Sequence, residues 1–306
     1  MITTNVKFDT KTRLLGMLGY PLGHSVTSIV HNAMYQWGDI NAIFIPMEVE
    51  DKPGNLERFF DAVDMFHVLG FSVTMPYKTR LIPFIDECPE ECRVFGCINN
   101  VKIAEDGRRI GVSYDGYGMG QALEEAGHRI AGKQVLILGA GGISGITAYE
   151  FVKRGAAKVT ILNRTAEKAD KVAQQLRDFT GIETEAGPLT KDALDRSARD
   201  AQIVAQCTSL GLNGHAADFE YLGFVDKLPK DAVIEDAIFN PLQTSILKAG
   251  AAAGIATMNG ISMLANQMSA IIEFYFGVDL GVGGKHEAAS TIIRAMRDRA
   301  REAQER

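Results

Sequence analysis

The segment from Gln134 to Lys168 is compatible with few folds. Val135-Leu136-Ile137-Leu138 is an unbroken apolar run, as in a strand buried on both faces, and Gly139-Ala140-Gly141-Gly142 follows it without a spacer. A helix-length segment comes next, then a second apolar run from Lys158 to Leu162, then Asn163-Arg164-Thr165. Strand, glycine-rich turn, helix and strand in that order make one dinucleotide-binding unit, in which a pyrophosphate rests on the N-terminus of the helix. Gly139 and Gly141 fill the first two positions of the G-x-G-x-x-G fingerprint. Ser144, with Gly145 beside it, stands at the third, which makes this the small-residue variant.

The second strand ends about twenty residues after the turn, where the ribose of a bound dinucleotide is placed. An NAD-binding chain usually carries Asp or Glu there, whereas this one carries Asn163, Arg164 and Thr165, with Lys168 nearby. A 2′-phosphate is an anion that a guanidinium grips bidentately and a carboxylate repels. NADP is therefore the expected cofactor. NAD stays open as a weaker alternative, because Arg164 does not exclude it as an Asp would exclude NADP.

The chain has 306 residues, enough for two domains with separate cores. A net charge of -6 and a pI near 5.6 provide no basic field for nucleic acid or an anionic membrane, and no local patch makes up for it. Residues 1–13 are polar and mixed in charge, and no apolar run approaches the roughly eighteen residues of a membrane span. A cytoplasmic location is expected. Cys88, Cys92, Cys97 and Cys207 are too few for a disulfide scaffold; Cys88 and Cys92 could share a helix face, but further ligands at short spacing are missing and no metal is expected.

Ahead of the dinucleotide unit lies a segment with its own alternation of strands and helices. Strands are expected at Leu14–Leu18, Ala42–Met47 and His67–Val73, helices at Ser28–Trp37 and Asn55–Met65, and a helix entry at Thr74-Met75-Pro76. Ile98–Ile103 and Arg109–Ser113, around Glu105-Asp106-Gly107, read as a hairpin. Further strands at Ile203–Cys207 and Val233–Asp236 continue the nucleotide half, and the pattern after Gly260 is wholly helical. The fold class is thus α/β: an N-terminal α/β domain with a mixed sheet, a Rossmann-like NADP-binding domain, and C-terminal helices returning to the first domain. The expected boundaries are 1–118 with 262–306 for the substrate domain, and 119–261 for the NADP-binding domain. Mobility is expected at Gly141-Gly142 and across residues 212–218.

Hydride chemistry on a secondary alcohol needs a group that takes the hydroxyl proton and returns it in reverse. Lys78, where an apolar strand stops, and Asp115, where the hairpin ends, are the candidates. A neighbouring carboxylate favours the ammonium form and desolvation opposes it, which suits a lysine that both donates and accepts. From the residues alone the two fit either a proton-transfer couple or a surface ion pair.

Ten motifs in order resemble the shikimate dehydrogenase family. They are Gly19-Tyr20-Pro21-Leu22-Gly23-His24-Ser25, His31-Asn32, Val73-Thr74-Met75-Pro76-Tyr77-Lys78, Ile98-Asn99 and Asp115-Gly116, then Gly139-Ala140-Gly141-Gly142, Asn163-Arg164-Thr165, Thr208-Ser209-Leu210-Gly211, Asn240-Pro241-Leu242-Gln243-Thr244, and Gly260 with Met263-Leu264 and Gln267. The resemblance implies NADP-linked interconversion of 3-dehydroshikimate and shikimate, a step toward chorismate and the aromatic amino acids, with Lys78 and Asp115 as the catalytic pair in an interdomain cleft. It further implies that Ser25 and Thr27 hold the substrate carboxylate and that Thr74, Asn99 and Gln267 bind ring hydroxyls. Thr208, Ser209 and Leu210, with Gly260, are then on the cofactor side. The implied partner is a small polyhydroxylated acid, and the implied assembly a monomer or a homodimer.

Departures from the family pattern bear on the substrate. Ser25-Val26-Thr27-Ser28 stands for Ser-x-Ser-Pro, Ser72 and Gln206 each replace Asn, Ser113-Tyr114 replaces Asn-Thr, and Phe239 replaces Tyr. Thr27, Tyr114 and Phe239 are placed to reshape the pocket, which keeps open a quinate/shikimate dehydrogenase or a related polyol-acid dehydrogenase. A non-catalytic NADP-binding regulator is the third reading; it would have no use for both Lys78 and Asp115.

Overall fold

The computed structural model describes residues 8–23, 25–214 and 217–304. His24 of the first motif, and His215 and Ala216 within the 212–218 segment, lie outside the described residues. The chain divides into two units, one of Met1–Cys92, Gly96–Tyr114 and Met268–Arg306, the other of Arg93–Phe95 and Asp115–Gln267.

In the first unit the strands are β1 (Arg13–Gly19), β2 (Ala42–Glu48), β3 (Gly70–Val73), β4 (Asn100–Ile103) and β5 (Arg109–Val112). They form one mixed sheet in the order β2-β1-β3-β4-β5, parallel through β3 and antiparallel beyond it. Helices α1 (Thr27–Trp37) and α2 (Asn55–Met65) are the crossovers that parallel neighbours require, and both bury an apolar stripe. The short helix α3 (Glu90–Phe95) precedes β4.

The second unit runs α4 (Asp115–Glu125), β6 (Gln134–Leu138), α5 (Ser144–Lys153), β7 (Lys158–Asn163), α6 (Ala166–Thr180), β8 (Glu183–Pro188), α7 (Lys191–Ala198), β9 (Ile203–Gln206), β10 (Val233–Asp236), α8 (Ser245–Ala252), β11 (Ala256–Met258) and α9 (Gly260–Phe276). Its six strands are all parallel in the order β11-β10-β9-β6-β7-β8. The strand order reverses between β6 and β9, so the turns after these two strands splay to opposite sides, the doubly wound arrangement in which a crevice opens at the carboxyl ends. Val135 and Ile137 of β6 pack into one core with Phe151 and Met263, while Leu136 and Leu138 pack into another with Phe224 and Ile246, as expected of a strand covered on both faces. The chain passes from the second unit to the first within α9, and α10 (Gly281–Gln304) then packs on α1, which is the expected return of the C-terminal helices.

Three local expectations are corrected. Thr74-Met75-Pro76 opens no α-helix: Tyr77–Thr79 is a single 3-10 turn without a side-chain cap. The Lys78 carbonyl, which an α-helix would spend on its own next turn, accepts from the Ile98 N–H at 2.9 Å instead. His67 belongs to no strand; it has φ +49°, and its neighbour Val68 donates to the Val63 carbonyl, closing α2 before sheet pairing starts at β3. Cys88 precedes α3 and so shares no helix face with Cys92. None of the four cysteines is disulfide-bonded. Among the described residues no group of three or more His, Cys, Asp or Glu is arranged to hold a metal ion, and no helix is long and apolar enough to cross a membrane.

Candidate functional site

In the second unit the turn after β6 is shaped by what its glycines avoid. Gly139 has φ +114°, and a Cβ there would lie 2.9 Å from Thr208 Cγ2, so both backbone and neighbour demand glycine. A Cβ on Gly141 would meet nothing within 4 Å. That open face beside the start of α5 is where a pyrophosphate can approach the backbone. Ser144 is fully buried and its Oγ accepts the Gly141 N–H at 3.1 Å, while Gly145 makes room for Phe95. The third fingerprint position thus works as a hydroxyl that ties the turn closed.

Asn163 links this turn to the end of β7: its Oδ1 accepts the Ala140 N–H at 3.2 Å and its Nδ2 donates to the Thr165 carbonyl at 2.9 Å. Arg164, Thr165 and Lys168 are exposed at the start of α6, and neither Arg164 nor Lys168 forms an ion pair among the described residues. Two cations where a ribose is expected, neither of them ion-paired among the described residues, fit the 2′-phosphate of NADP.

Asp115 heads α4, where the helix dipole favours a carboxylate, and it is 3 % exposed. Gln267 of α9, also buried, donates from Nε2 to Asp115 Oδ1 at 3.3 Å. The approach depends on Gly118, where a Cβ would stand 2.6 Å from both Gln267 Cγ and the Met263 carbonyl.

The first unit gathers Thr74, Lys78 and Asn99. Thr74 donates its N–H to the Leu18 carbonyl at 2.9 Å, Val73 donates to the Asn99 carbonyl at 2.7 Å, and Ile98 donates to Lys78 as above. The ends of β1 and β3 and the approach to β4 therefore meet at one place. Asn99 is buried, and its Oδ1 accepts the Tyr114 N–H at 3.0 Å and Asn100 Nδ2 at 2.6 Å. Ser25 and Thr27 stand at the start of α1 with their hydroxyl oxygens 3.0 Å apart.

Residues 17–101 match the shikimate dehydrogenase substrate binding domain, and residues 121–211 match the shikimate / quinate 5-dehydrogenase domain. A shikimate dehydrogenase (NADP(+)) of Alkaliphilus metalliredigens is 32% identical over 277 residues, 90% of this chain and 96% of that one. The chain belongs to the shikimate dehydrogenase family. Among solved structures, a shikimate dehydrogenase in complex with NADP+ superposes with a TM-score of 0.83 at 29% identity, covering 94% of this chain and 97% of that one. The ligand-free 5-ketofructose reductase of a Gluconobacter species superposes with a TM-score of 0.81 at 30% identity, covering 94% and 100%.

Two of the chain's departures from the family pattern, Gln206 and Ser72, have a structural explanation. Gln206, fully buried, takes the family's Asn position and binds the following loop from both ends. Its Oε1 accepts the Thr208 N–H at 2.7 Å and the Thr208 hydroxyl at 2.8 Å, and its Nε2 donates to the Leu210 carbonyl at 3.2 Å. Ser72 faces the interior, donating to Asn100 Oδ1 at 2.7 Å, which also accepts from the Tyr275 hydroxyl at 3.1 Å. His31 completes this network at 0 % exposure, stacked on Phe44 with ring centroids 3.8 Å apart; burial holds its pKa down to about 3. Sequence reasoning passed over this network because its members lie far apart in the chain. Gly260, grouped by resemblance with the cofactor residues, is packed so that a Cβ would stand 2.4 Å from the Ala237 carbonyl.

Proposed function

We propose that this protein is an NADP-dependent shikimate dehydrogenase, an oxidoreductase interconverting shikimate and 3-dehydroshikimate in the cytoplasm. The observation that carries the reading is family membership across nearly the whole chain together with Arg164 after β7 and Lys168 in the first turn of α6, neither of them ion-paired among the described residues. The turn after β6 would hold the cofactor, which when bound would supply hydride as NADPH in reduction and accept it as NADP+ in oxidation. Lys78 takes the hydroxyl proton in oxidation and returns it to the carbonyl oxygen in reduction, with Asp115 as the second catalytic residue. Ser25 and Thr27 hold the substrate carboxylate, and Thr74, Asn99 and Gln267 bind the ring hydroxyls. Residues 1–118 with 262–306 serve the substrate and residues 119–261 the cofactor.

Initial rates with shikimate and with quinate, each with NADP+ and NAD+, test this directly. The highest kcat/KM is expected for shikimate with NADP+; efficient quinate oxidation would move the protein to the other branch of the family. A second reading, a dehydrogenase of another polyol, draws on the likeness to 5-ketofructose reductase and on Thr27, Tyr114 and Phe239. Tyr114 packs against Phe274, ring centroids 6.2 Å apart, and so presents an aromatic surface where the family pattern has a small hydroxyl residue. Reduction of a neutral keto sugar with no activity on either acid would establish that reading.

Arg164→Ala is expected to raise KM for NADP+ by roughly 10- to 100-fold, the equivalent of one or two charge-assisted hydrogen bonds, and to leave KM for NAD+ nearly unchanged. Equal effects on both cofactors would remove Arg164 from the phosphate site.

A further inference from the structure

We infer that Arg299, near the end of α10, is a specificity residue that reads the charge of the substrate's carboxylate at Ser25 and Thr27. The inference rests on the functional reading above and adds to it a residue that the resemblance does not supply.

The two ends of α10 fix where Arg299 stands. A Cβ on Gly283 would lie 3.2 Å from the Trp37 ring, so the start of α10 meets the end of α1, and the two helices run antiparallel. Arg299 is thereby brought to the start of α1, and its Nη2 donates to the Ser25 carbonyl at 2.6 Å. Nη1 of the same guanidinium is buried and has no hydrogen-bond partner among the described residues, nor does Arg299 form an ion pair among them. A buried cationic N–H without an acceptor is costly, and an anion is the ligand best able to relieve it.

The surroundings favour an anion as well. The first turn of α1 carries no acidic residue, so no side-chain charge offsets its dipole there. The Ser25 hydroxyl donates to Thr27 Oγ1 at 3.0 Å and accepts the Thr27 N–H at 3.3 Å, which orders the Ser25 and Thr27 hydroxyls beside the Ser25 carbonyl that Arg299 holds. Hydroxyls alone serve a carboxylate and a neutral polyol alike. A guanidinium adjoining them favours the carboxylate, with a rigid fork suited to its two oxygens. Arg299 adds to these hydroxyls a cationic anchor from another part of the chain.

The test compares wild type, Arg299→Gln and Arg299→Lys on shikimate and on its carboxamide, a neutral analogue of nearly the same shape, with NADP+ saturating. Arg299→Gln is expected to raise KM for shikimate at least tenfold, with kcat within about threefold and KM for NADP+ unchanged, and to leave kcat/KM for the carboxamide nearly as it was. Arg299→Lys is expected to recover part of the loss. Equal losses on shikimate and the carboxamide would mark Arg299 as a packing residue and overturn the inference, as would an unchanged KM for shikimate. Failure of wild type itself to oxidise shikimate would instead overturn the functional reading, so the two failures are told apart.

Discussion

Lys78→Ala is expected to lower kcat for shikimate oxidation by about 10²- to 10⁴-fold, the usual share of a general base, with NADP+ affinity unchanged. The large loss follows from the chemistry: hydride cannot leave the carbinol carbon unless the hydroxyl proton has somewhere to go, and a methyl group cannot take it. The unchanged cofactor affinity follows from the fold, since the turn proposed to hold the cofactor follows β6 in the second unit and Lys78 belongs to the first. The local backbone is expected to survive as well. Tyr77 is buried and its hydroxyl donates to the Val49 carbonyl at 2.8 Å, while Lys78 contributes its carbonyl, which any residue has, to Ile98. Lys78→Arg sharpens the test, because a guanidinium keeps the charge but cannot accept a proton at neutral pH and is expected to be nearly as inactive. If either variant retained more than a tenth of the wild-type rate while melting normally, Lys78 would not be the base.

The dinucleotide half was legible because its determinants are contiguous. An apolar run, a glycine turn and a basic strand end sit in 35 residues, and β6 and β7 formed where the run lengths placed them. The first unit was less legible where long-range bonds decide local shape. Thr74-Met75-Pro76 has the composition of a helix entry, yet the Ile98 N–H claims the carbonyl at Lys78, and the residue that overrides the local preference lies twenty positions away. His67 reads as a strand residue by its neighbours, but α2 terminates through it. Elements such as β8 and α7 escaped notice because Glu183–Pro188 is polar and short and Lys191–Ala198 buries only Ala193, Leu194 and Ala198. Arg299 was invisible for a different reason: nothing in its surrounding sequence marks one arginine of a basic amphipathic helix as the one that meets Ser25.

The pH dependence of stability is expected to separate two buried groups of opposite sign. His31 in the folded protein has its pKa lowered to about 3 by burial, against 6.5 for an exposed histidine. Below pH 6.5 the unfolded chain therefore takes up a proton that the folded chain refuses, and stability falls as the pH drops toward 3, by up to about 1.4 kcal/mol per pH unit. Glu235 in β10 behaves oppositely. Both its oxygens are buried without hydrogen-bond partners among the described residues, and desolvation, then the neighbouring Asp236, raises its pKa well above 4.5. Its contribution is fully present below the unfolded value and is lost as the pH rises, because the unfolded chain sheds a proton that the folded chain keeps. Asp236, raised to about 6 chiefly by burial, acts in the same direction over the window from 3.8 to about 6. Melting temperatures between pH 4 and pH 8 are the measurement. Glu235→Gln is expected to stabilise the protein at pH 8 by more than at pH 4. His31→Phe, which keeps a ring against Phe44 but leaves the Tyr35 hydroxyl without its 3.1 Å contact, is expected to carry a pH-independent cost of about 1–3 kcal/mol and a flatter decline below pH 6.5. A wild-type slope retained on the acid side of His31→Phe would mean that the folded protein admits the proton to His31 after all, and the buried network with Ser72, Asn100 and Tyr275 would then have to open to receive it.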